Sequence, residues 1–283
     1  MKIGFNLLLW TGHVTSEHFG VLEKLKAKGY DGVEIPIFDT SNLQGYKDLG
    51  QALKDNGLQS CAVTICPDNS MSLINPDAAA RERGLDHLKA VAECGHAAGI
   101  DNLCGPYYQE LGLFTGLPAS EQELEHAAEK HRIFAGIAQD AGIHLTIETL
   151  NRFECHLLNT MEQGKAYVER VNHPNFKTMY DTFHANIEEK DPLGVIEPNY
   201  DVIGHVHISA NDRGTPGKDH TPIIETIQKF KSLGYDDWFV IEAFGAALPD
   251  LAGATKVWRS FFPTYEEVYE FGYDYIRSAW DNA

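Results

Sequence analysis

Thiols, basic side chains and long apolar runs are all scarce in this chain. Its five cysteines, Cys61, Cys66, Cys94, Cys104 and Cys155, are odd in number and form no CxxC or CxxH pair. That argues against a disulfide framework or a thiolate zinc site, and for reduced thiols in a cytoplasmic setting. Lys and Arg number 23 against 41 Asp and Glu, a net charge of −18. So negative a chain repels polyphosphate and anionic membranes, and no local basic patch offsets it. Neither a nucleic acid nor a membrane is expected as partner. No stretch approaches the ~18 apolar residues of a membrane span. The opening MKIGFNLLLWTGHV lacks a long apolar h-region and a small-residue cleavage site, so it reads as a first strand and not as a secretion signal. No G-x-G-x-x-G follows that strand, which counts against a dinucleotide fold, and no organic cofactor is expected. What is present is ordinary globular composition, 43% hydrophobic and 23% charged over 283 residues.

A local pattern recurs: an amphipathic segment, a glycine, an apolar residue, then a short β-like run. It occurs in LKAKGYDGVEIPI, LKDNGLQSCAVTI, CGHAAGIDNLCG, IAQDAGIHLTIET and FKSLGYDDWFVIEAF, with the glycines at 29, 57, 99, 142 and 234. A glycine just past a helix takes the left-handed conformation that closes the last carbonyls, and the next apolar residue packs back on the helix. The spacings are 28, 42, 43 and 92 residues, so the last gap holds two units that end differently. TMYDTF and GHVHIS supply the missing strands. With KIGFNLL the candidates are eight: 2–8, 32–37, 58–66, 102–108, 144–150, 176–182, 203–209 and 238–244. Eight short apolar strands alternating with helices predict an α/β fold, a closed (β/α)₈ barrel. Residues 1–283 are expected to form a single domain. The tail, 245–283, is expected to run through a loop into an aromatic-rich helix over WRSFFPTYEEVYEFGYDYIRSAW, packed on the barrel or at an oligomer interface.

The active site of such a barrel is built at the carboxyl ends of its strands. Four polar residues interrupt the apolar runs there: Glu148, Asp181, His207 and Glu242, spaced by 33, 26 and 35 residues. They fall on four successive strands at similar depth. Three carboxylates cannot stay ionised together in a partly dry pocket without a compensating cation. Three carboxylate oxygens and one imidazole nitrogen suit an oxygen-rich, octahedral ion with open positions: Mn²⁺, Mg²⁺ or Co²⁺. His184, Arg213, Arg152 and Glu154 lie on the following loops, where substrate-facing residues are expected, although each alone reads equally well as a cap or surface charge. His205 shares the side-chain face of His207 and reads as a core histidine one layer down. Glu34 reads either as a ligand or as a rim residue. Trp10, Tyr107, Tyr108 and Phe114 are candidate pocket walls. The loop RGTPGKDH, with Lys218, follows the seventh strand, near where barrels often bind phosphate.

At these residues the chain resembles the ketose 3-epimerases, the D-tagatose and D-psicose (allulose) 3-epimerase group of the xylose-isomerase-like TIM barrels. The resemblance runs through ETLNRFE (148–154), DTFHANIEE (181–189), GHVHI with NDR following (204–213), IEAF (241–244) and KVWR (256–259), and its general pattern covers nearly the whole chain. It implies that Glu148, Asp181, His207 and Glu242 hold one Mn²⁺-like ion, and that Glu148 and Glu242 double as the acid/base pair. It implies too that Glu154, His184 and Arg213 hold the first three carbons of a ketose, and that the protein is a homodimer or homotetramer. The chain departs from the family at Ser209-Ala210-Asn211, where Gly-Glu-Cys is more usual, and in the loops after the fourth strand and after Phe244. These departures bear on which sugar is used.

The expected reaction is inversion of carbon 3 of a free ketose through an enediolate, one glutamate removing the proton and the other returning one on the opposite face. An aldose–ketose isomerase or a sugar-phosphate enzyme with the same ion is the alternative. A catalytically silent sugar- or metal-binding barrel is the non-enzyme reading.

Overall fold

The computed structural model describes residues 1–283 apart from the side chain of Asp250. The strands are β1 (Lys2–Asn6), β2 (Gly32–Pro36), β3 (Gln59–Val63), β4 (Asn102–Gly105), β5 (His144–Ile147), β6 (Phe176–Asp181), β7 (Ile203–Ile208) and β8 (Trp238–Ile241). All pair in parallel with their sequence neighbours, and β8 returns to β1 through Phe5↔Ile241 and Gly4↔Val240, closing the barrel. The helices are α1 (Phe19–Lys28), α2 (Leu43–Asp55), α3 (Ala78–Ala98), α4 (Glu121–Asp140) and α5 (Met161–Val171). After β6 come α6 (Thr182–Glu188), α7 (Ile196–Asn199), α8 (Ile223–Ser232), α9 (Pro249–Thr255) and α10 (Gly272–Asp281).

The five glycines predicted to end helices all have positive φ: Gly29 119°, Gly57 65°, Gly99 78°, Gly142 75° and Gly234 81°. In each case the next apolar residue donates its N–H back into the last helical turn, as from Ile143 to Ala138 O (2.8 Å) and Leu58 to Leu53 O (2.9 Å). This is the Schellman arrangement the pattern implied. One of the missing units closes on Asn172, left-handed at φ 49°, since asparagine tolerates that region where other side chains do not.

Every predicted strand exists, but each ends one to three residues early. Leu7–Leu9 is a 3₁₀ turn capped by Asn6, whose Oδ1 accepts from Leu8 N. Glu148 and Glu242 stand one residue beyond β5 and β8. The tail also differs from expectation. Residues 249–255 are helical, 258–264 are not, and the aromatic helix begins at Tyr265 and passes through a π turn at Glu267–Phe271 into α10. The tail packs on the barrel: Tyr30 Oη donates to Tyr269 O (2.7 Å), and Trp10 lies against Tyr265 and Tyr269. No helix is long and apolar enough to cross a membrane among the described residues.

One buried histidine sits outside the barrel mouth. His131 on α4 lies among Tyr107, Tyr167 and Phe176, with Nδ1 2.7 Å from Tyr167 Oη. Burial pushes its pKa down to about 3 from 6.5. The unfolded chain then binds a proton that the folded one refuses, so this residue's contribution is intact above pH 6.5 and is lost progressively down to about pH 3. Between pH 7 and 5 that amounts to about 2 kcal/mol. Urea unfolding of the native protein and His131→Gln at both pH values should show the variant losing about that much less on acidification; equal losses would contradict it.

Candidate active site

Four elements bring the predicted polar residues to one point. Glu148 N–H donates to Gly105 O (3.2 Å), which fixes the chain as it leaves β5. Gly105 itself has φ 117°, and a Cβ there would lie 2.1 Å from Thr64 O, so only glycine permits this approach. Asp181 closes β6 and caps α6, its Oδ1 accepting from Phe183 N (2.6 Å) while Oδ2 faces the site. His207 on β7 is in register with Asp181 and with Val240 on β8. Glu242 N–H donates to Ile208 O (3.1 Å) just past β8. One ligand atom from each of Glu148, Asp181, His207 and Glu242 lies within 4.8 Å of every other, all four side chains buried.

The electrostatics of this cluster are those of a cation site. His207 Nδ1 is buried without a hydrogen-bond partner, 3.4 Å from Glu242 Oε1 and 3.8 Å from Asp181 Oδ2. Burial would lower the His207 pKa, yet the charges of Glu34 and Glu242 lift it well above the ordinary value. The field that would hold a proton on Nδ1 would equally hold a metal ion there, and the two compete for the same lone pair. Burial raises the Glu148 pKa, with His184 opposing. For Asp181 burial is outweighed by His184, Arg213 and His207, and its carboxyl is held well below the usual range. Three carboxylates converging on one orphaned imidazole nitrogen match the donor set of a hard divalent ion.

Around the cluster lies a cavity of about 90 Å³, lined by Glu148, Glu154, His184, Arg213 and Glu242 and by apolar side chains including Phe38, Leu111 and Phe244. His184 Nδ1 accepts the Asn151 N–H (2.9 Å), which leaves Nε2 to carry the ring proton. That Nε2 stands 3.0 Å from Arg213 Nη2. The two donors thus meet beside the Glu148 carboxylate, whose Oε1 is 3.4 Å from His184 Nε2, at the wall of the cavity where a ligand oxygen could take them. Arg213 Nη1 donates to Glu242 Oε2 (2.5 Å), Ser209 Oγ (3.1 Å) and Asp181 Oδ2 (3.3 Å). Its guanidinium stacks 3.6 Å from the Phe183 ring. The Arg213 backbone is left-handed at φ 62°, held by its N–H donating to Ala210 O and its C=O accepting from Phe244 N, both 2.9 Å. Glu154 accepts from Asn151 Nδ2 (2.7 Å).

Several expectations need correction. Glu34 is neither a rim residue nor one of the four. It is fully buried one layer below, where its carboxylate meets His205 Nε2 (2.9 Å) and His207 Nε2 (3.0 Å). His205 is the lower-layer core histidine expected. The pocket walls are not Trp10, Tyr107, Tyr108 and Phe114. Tyr107 lies behind the barrel against His131 and Phe134, Tyr108 Oη donates to Glu148 O, and Phe114 is 46% exposed. Lys218 pairs with Glu267 (2.7 Å) over the Phe271 ring, so the loop 213–220 offers that amine to the tail and not to the cavity. Arg152 pairs outward with Glu188. Sequence reasoning missed Asn6 and Asn151, and marked Ser209 only as a departure from the family pattern, not as the Arg213 partner it is. Asn6 was findable by the criterion that gave the others, a polar side chain at the carboxyl end of an apolar strand.

Residues 22–261 match the family described as xylose isomerase-like TIM barrel. A ketose 3-epimerase of Arthrobacter globiformis is 29% identical over 280 residues, 98% of this chain and 96% of that protein. A D-psicose 3-epimerase of Agrobacterium fabrum is 30% identical over 266 residues, 92% and 90% of the two chains. Among solved structures, D-allulose 3-epimerase from Methylomonas sp. in complex with D-allulose superposes with a TM-score of 0.91 at 25% identity, over 99% of this chain and 97% of that one. This chain therefore belongs to the xylose isomerase-like TIM barrel family and stands with its ketose 3-epimerases, isomerases that act on carbohydrates.

Proposed function

We propose that the protein is a divalent-metal-dependent epimerase inverting carbon 3 of a free ketose of the tagatose, psicose, fructose or ribulose type. The observation that carries this is the convergence of Glu148, Asp181, His207 and Glu242 within 4.8 Å around an unpartnered imidazole nitrogen, beside the paired donors of His184 and Arg213. Those four side chains would hold the ion, Mn²⁺ by preference, and when bound it supplies positive charge where the enediolate's charge develops. The hydrogen on carbon 3 is a poor acid, so the base that takes it must itself be reluctant to ionise. Glu148, whose pKa burial raises, fits that role. Glu242, three strands away around the mouth, is placed to return a proton from the other side. His184 Nε2–H and Arg213 Nη2–H present two donors to the sugar oxygens on carbons 1 to 3, and Glu154 accepts from a hydroxyl at the same end.

Free sugar is favoured over sugar phosphate by charge. The one cationic side chain lining this cavity among the described residues is Arg213, already shared between Asp181 and Glu242. A phosphate dianion would enter a pocket of net negative charge with no free lysine. Incubation of the Mn²⁺-loaded protein with free ketoses in D₂O should place deuterium at carbon 3 of both substrate and product. Label at carbon 1 or 2 would mark an aldose–ketose isomerase instead, and turnover of phosphorylated sugars alone would overturn the substrate class.

A further inference from the structure

Beneath the four candidate ligands lies a second buried polar layer that the proposed chemistry does not use. Its centre is the Glu34 carboxylate, with no exposed surface, in register with Asn6 on β1 and Cys61 on β3. Five donors converge on it. His205 Nε2 stands 2.9 Å and His207 Nε2 3.2 Å from Oε2, Cys104 Sγ–H donates at 3.1 Å and Cys61 Sγ–H at 3.5 Å, and Asn6 Nδ2 donates to Oε1 at 2.8 Å. The Asn6 amide cannot be flipped, because its Oδ1 accepts the Leu8 N–H at 2.8 Å. The same Nδ2 also reaches Glu242 Oε1 at 3.3 Å.

A buried carboxylate is stable only when its lone pairs are filled, and one of the donors that fill them here is a side chain of the layer above. Glu34 takes the Nε2–H of His207, which sets the tautomer and turns Nδ1, the unpartnered nitrogen, toward Glu242 and Asp181. Through Asn6 it also fixes one oxygen of Glu242. We infer that Glu34 is a positioning residue: with Asn6 as its bridge, it holds His207 and Glu242 in the geometry that receives the divalent ion. The inference rests on the metal reading above. The alternative use of the layer, a second ion shared by Glu34, Cys104, His205 and His207, fits less well. Each donor already has the carboxylate as acceptor at hydrogen-bond length.

The test is Mn²⁺ binding by calorimetry to the native protein, Glu34→Gln and Asn6→Ala, with circular dichroism to establish folding and steady-state kinetics at saturating Mn²⁺. One site per native chain is expected. The Mn²⁺ Kd should rise roughly 10–100-fold in Glu34→Gln and about 10-fold in Asn6→Ala, while KM for the ketose moves much less than kcat. A residue that merely fills the core would lower thermal stability and leave Kd alone, so a folded variant with native affinity overturns the inference. Two Mn²⁺ per native chain would overturn it as well, by making the lower layer an ion site. No binding to the native protein would instead bring down the metal reading itself. Should neither variant fold, ¹⁵N-histidine spectra of the ¹¹³Cd-loaded native protein decide: coupling of cadmium to Nδ1 of a ring that keeps its proton on Nε2 is expected, and coupling to Nε2 overturns it.

Discussion

Replacing Glu148 by Gln should lower the turnover of a free ketose about 10³–10⁴-fold at saturating Mn²⁺, a barrier increase of about 4–5.5 kcal/mol. The amide keeps the size of the side chain and one oxygen that can face His184 Nε2, 3.4 Å away in the native chain. What it loses is the ability to take a proton. Glu242→Gln should cost a similar factor, and the two variants should fail differently. Each keeps one competent carboxylate, so each should still exchange the carbon 3 hydrogen of the epimer that presents that hydrogen to the remaining glutamate, without converting it to the other epimer. Mass spectrometry of recovered sugars after incubation in D₂O reads this directly. If Glu148→Gln retains turnover within tenfold of native, Glu148 is not the base. If both variants exchange the same epimer, the two glutamates do not serve opposite faces.

The four converging residues were legible in the amino-acid order because strand ends in a barrel share one mouth. A polar residue in the last position of an apolar strand has nowhere to go but that mouth. The helix-glycine-apolar unit was legible for a comparable reason: the left-handed cap is a local constraint, complete within six residues, as Gly142 and Ile143 show. Depth was not legible. Whether Glu34 reaches the mouth or the layer below depends on the register Asn6↔Glu34↔Cys61, and register is set by the closure of the whole sheet. The aromatic walls escaped for a related reason. After Gly105 the chain turns, carrying Tyr107 and Tyr108 away from the mouth, while Phe38 and Phe244 come from loops whose paths no periodicity describes. In the tail the aromatics of 258–280 do not mark one helix: Phe262 is buried, Trp258 is 72% exposed, and 258–264 is not helical.

Arg213→Met should separate the protein's two sources of positive charge. Without a divalent ion, Arg213 is the fixed cation between Asp181 Oδ2 and Glu242 Oε2, with Glu148 buried beside them. Removing one partner of a buried ion pair leaves charge uncompensated, at a cost of about 3–5 kcal/mol. For a chain of this size that corresponds to a fall in Tm of roughly 10 °C in the presence of a chelator. Methionine keeps much of the contact with the Phe183 and Phe244 rings, so lost packing is a minor part of the change. Saturating Mn²⁺ should close most of that gap, because an ion held by Asp181 and Glu242 neutralises the same oxygens, and binding to the folded state alone raises stability by mass action. The native protein should gain less from Mn²⁺ than the variant does, since its carboxylates start out compensated. Catalysis should not recover with stability: the Nη2–H beside His184 is gone, and KM for the ketose should stay raised at least tenfold. Thermal unfolding of both proteins in chelator and in Mn²⁺, with KM measured in the latter, checks each part. Equal Tm values in chelator would mean that the three carboxylates are not held against one another, and the electrostatic basis of the site would fall with them.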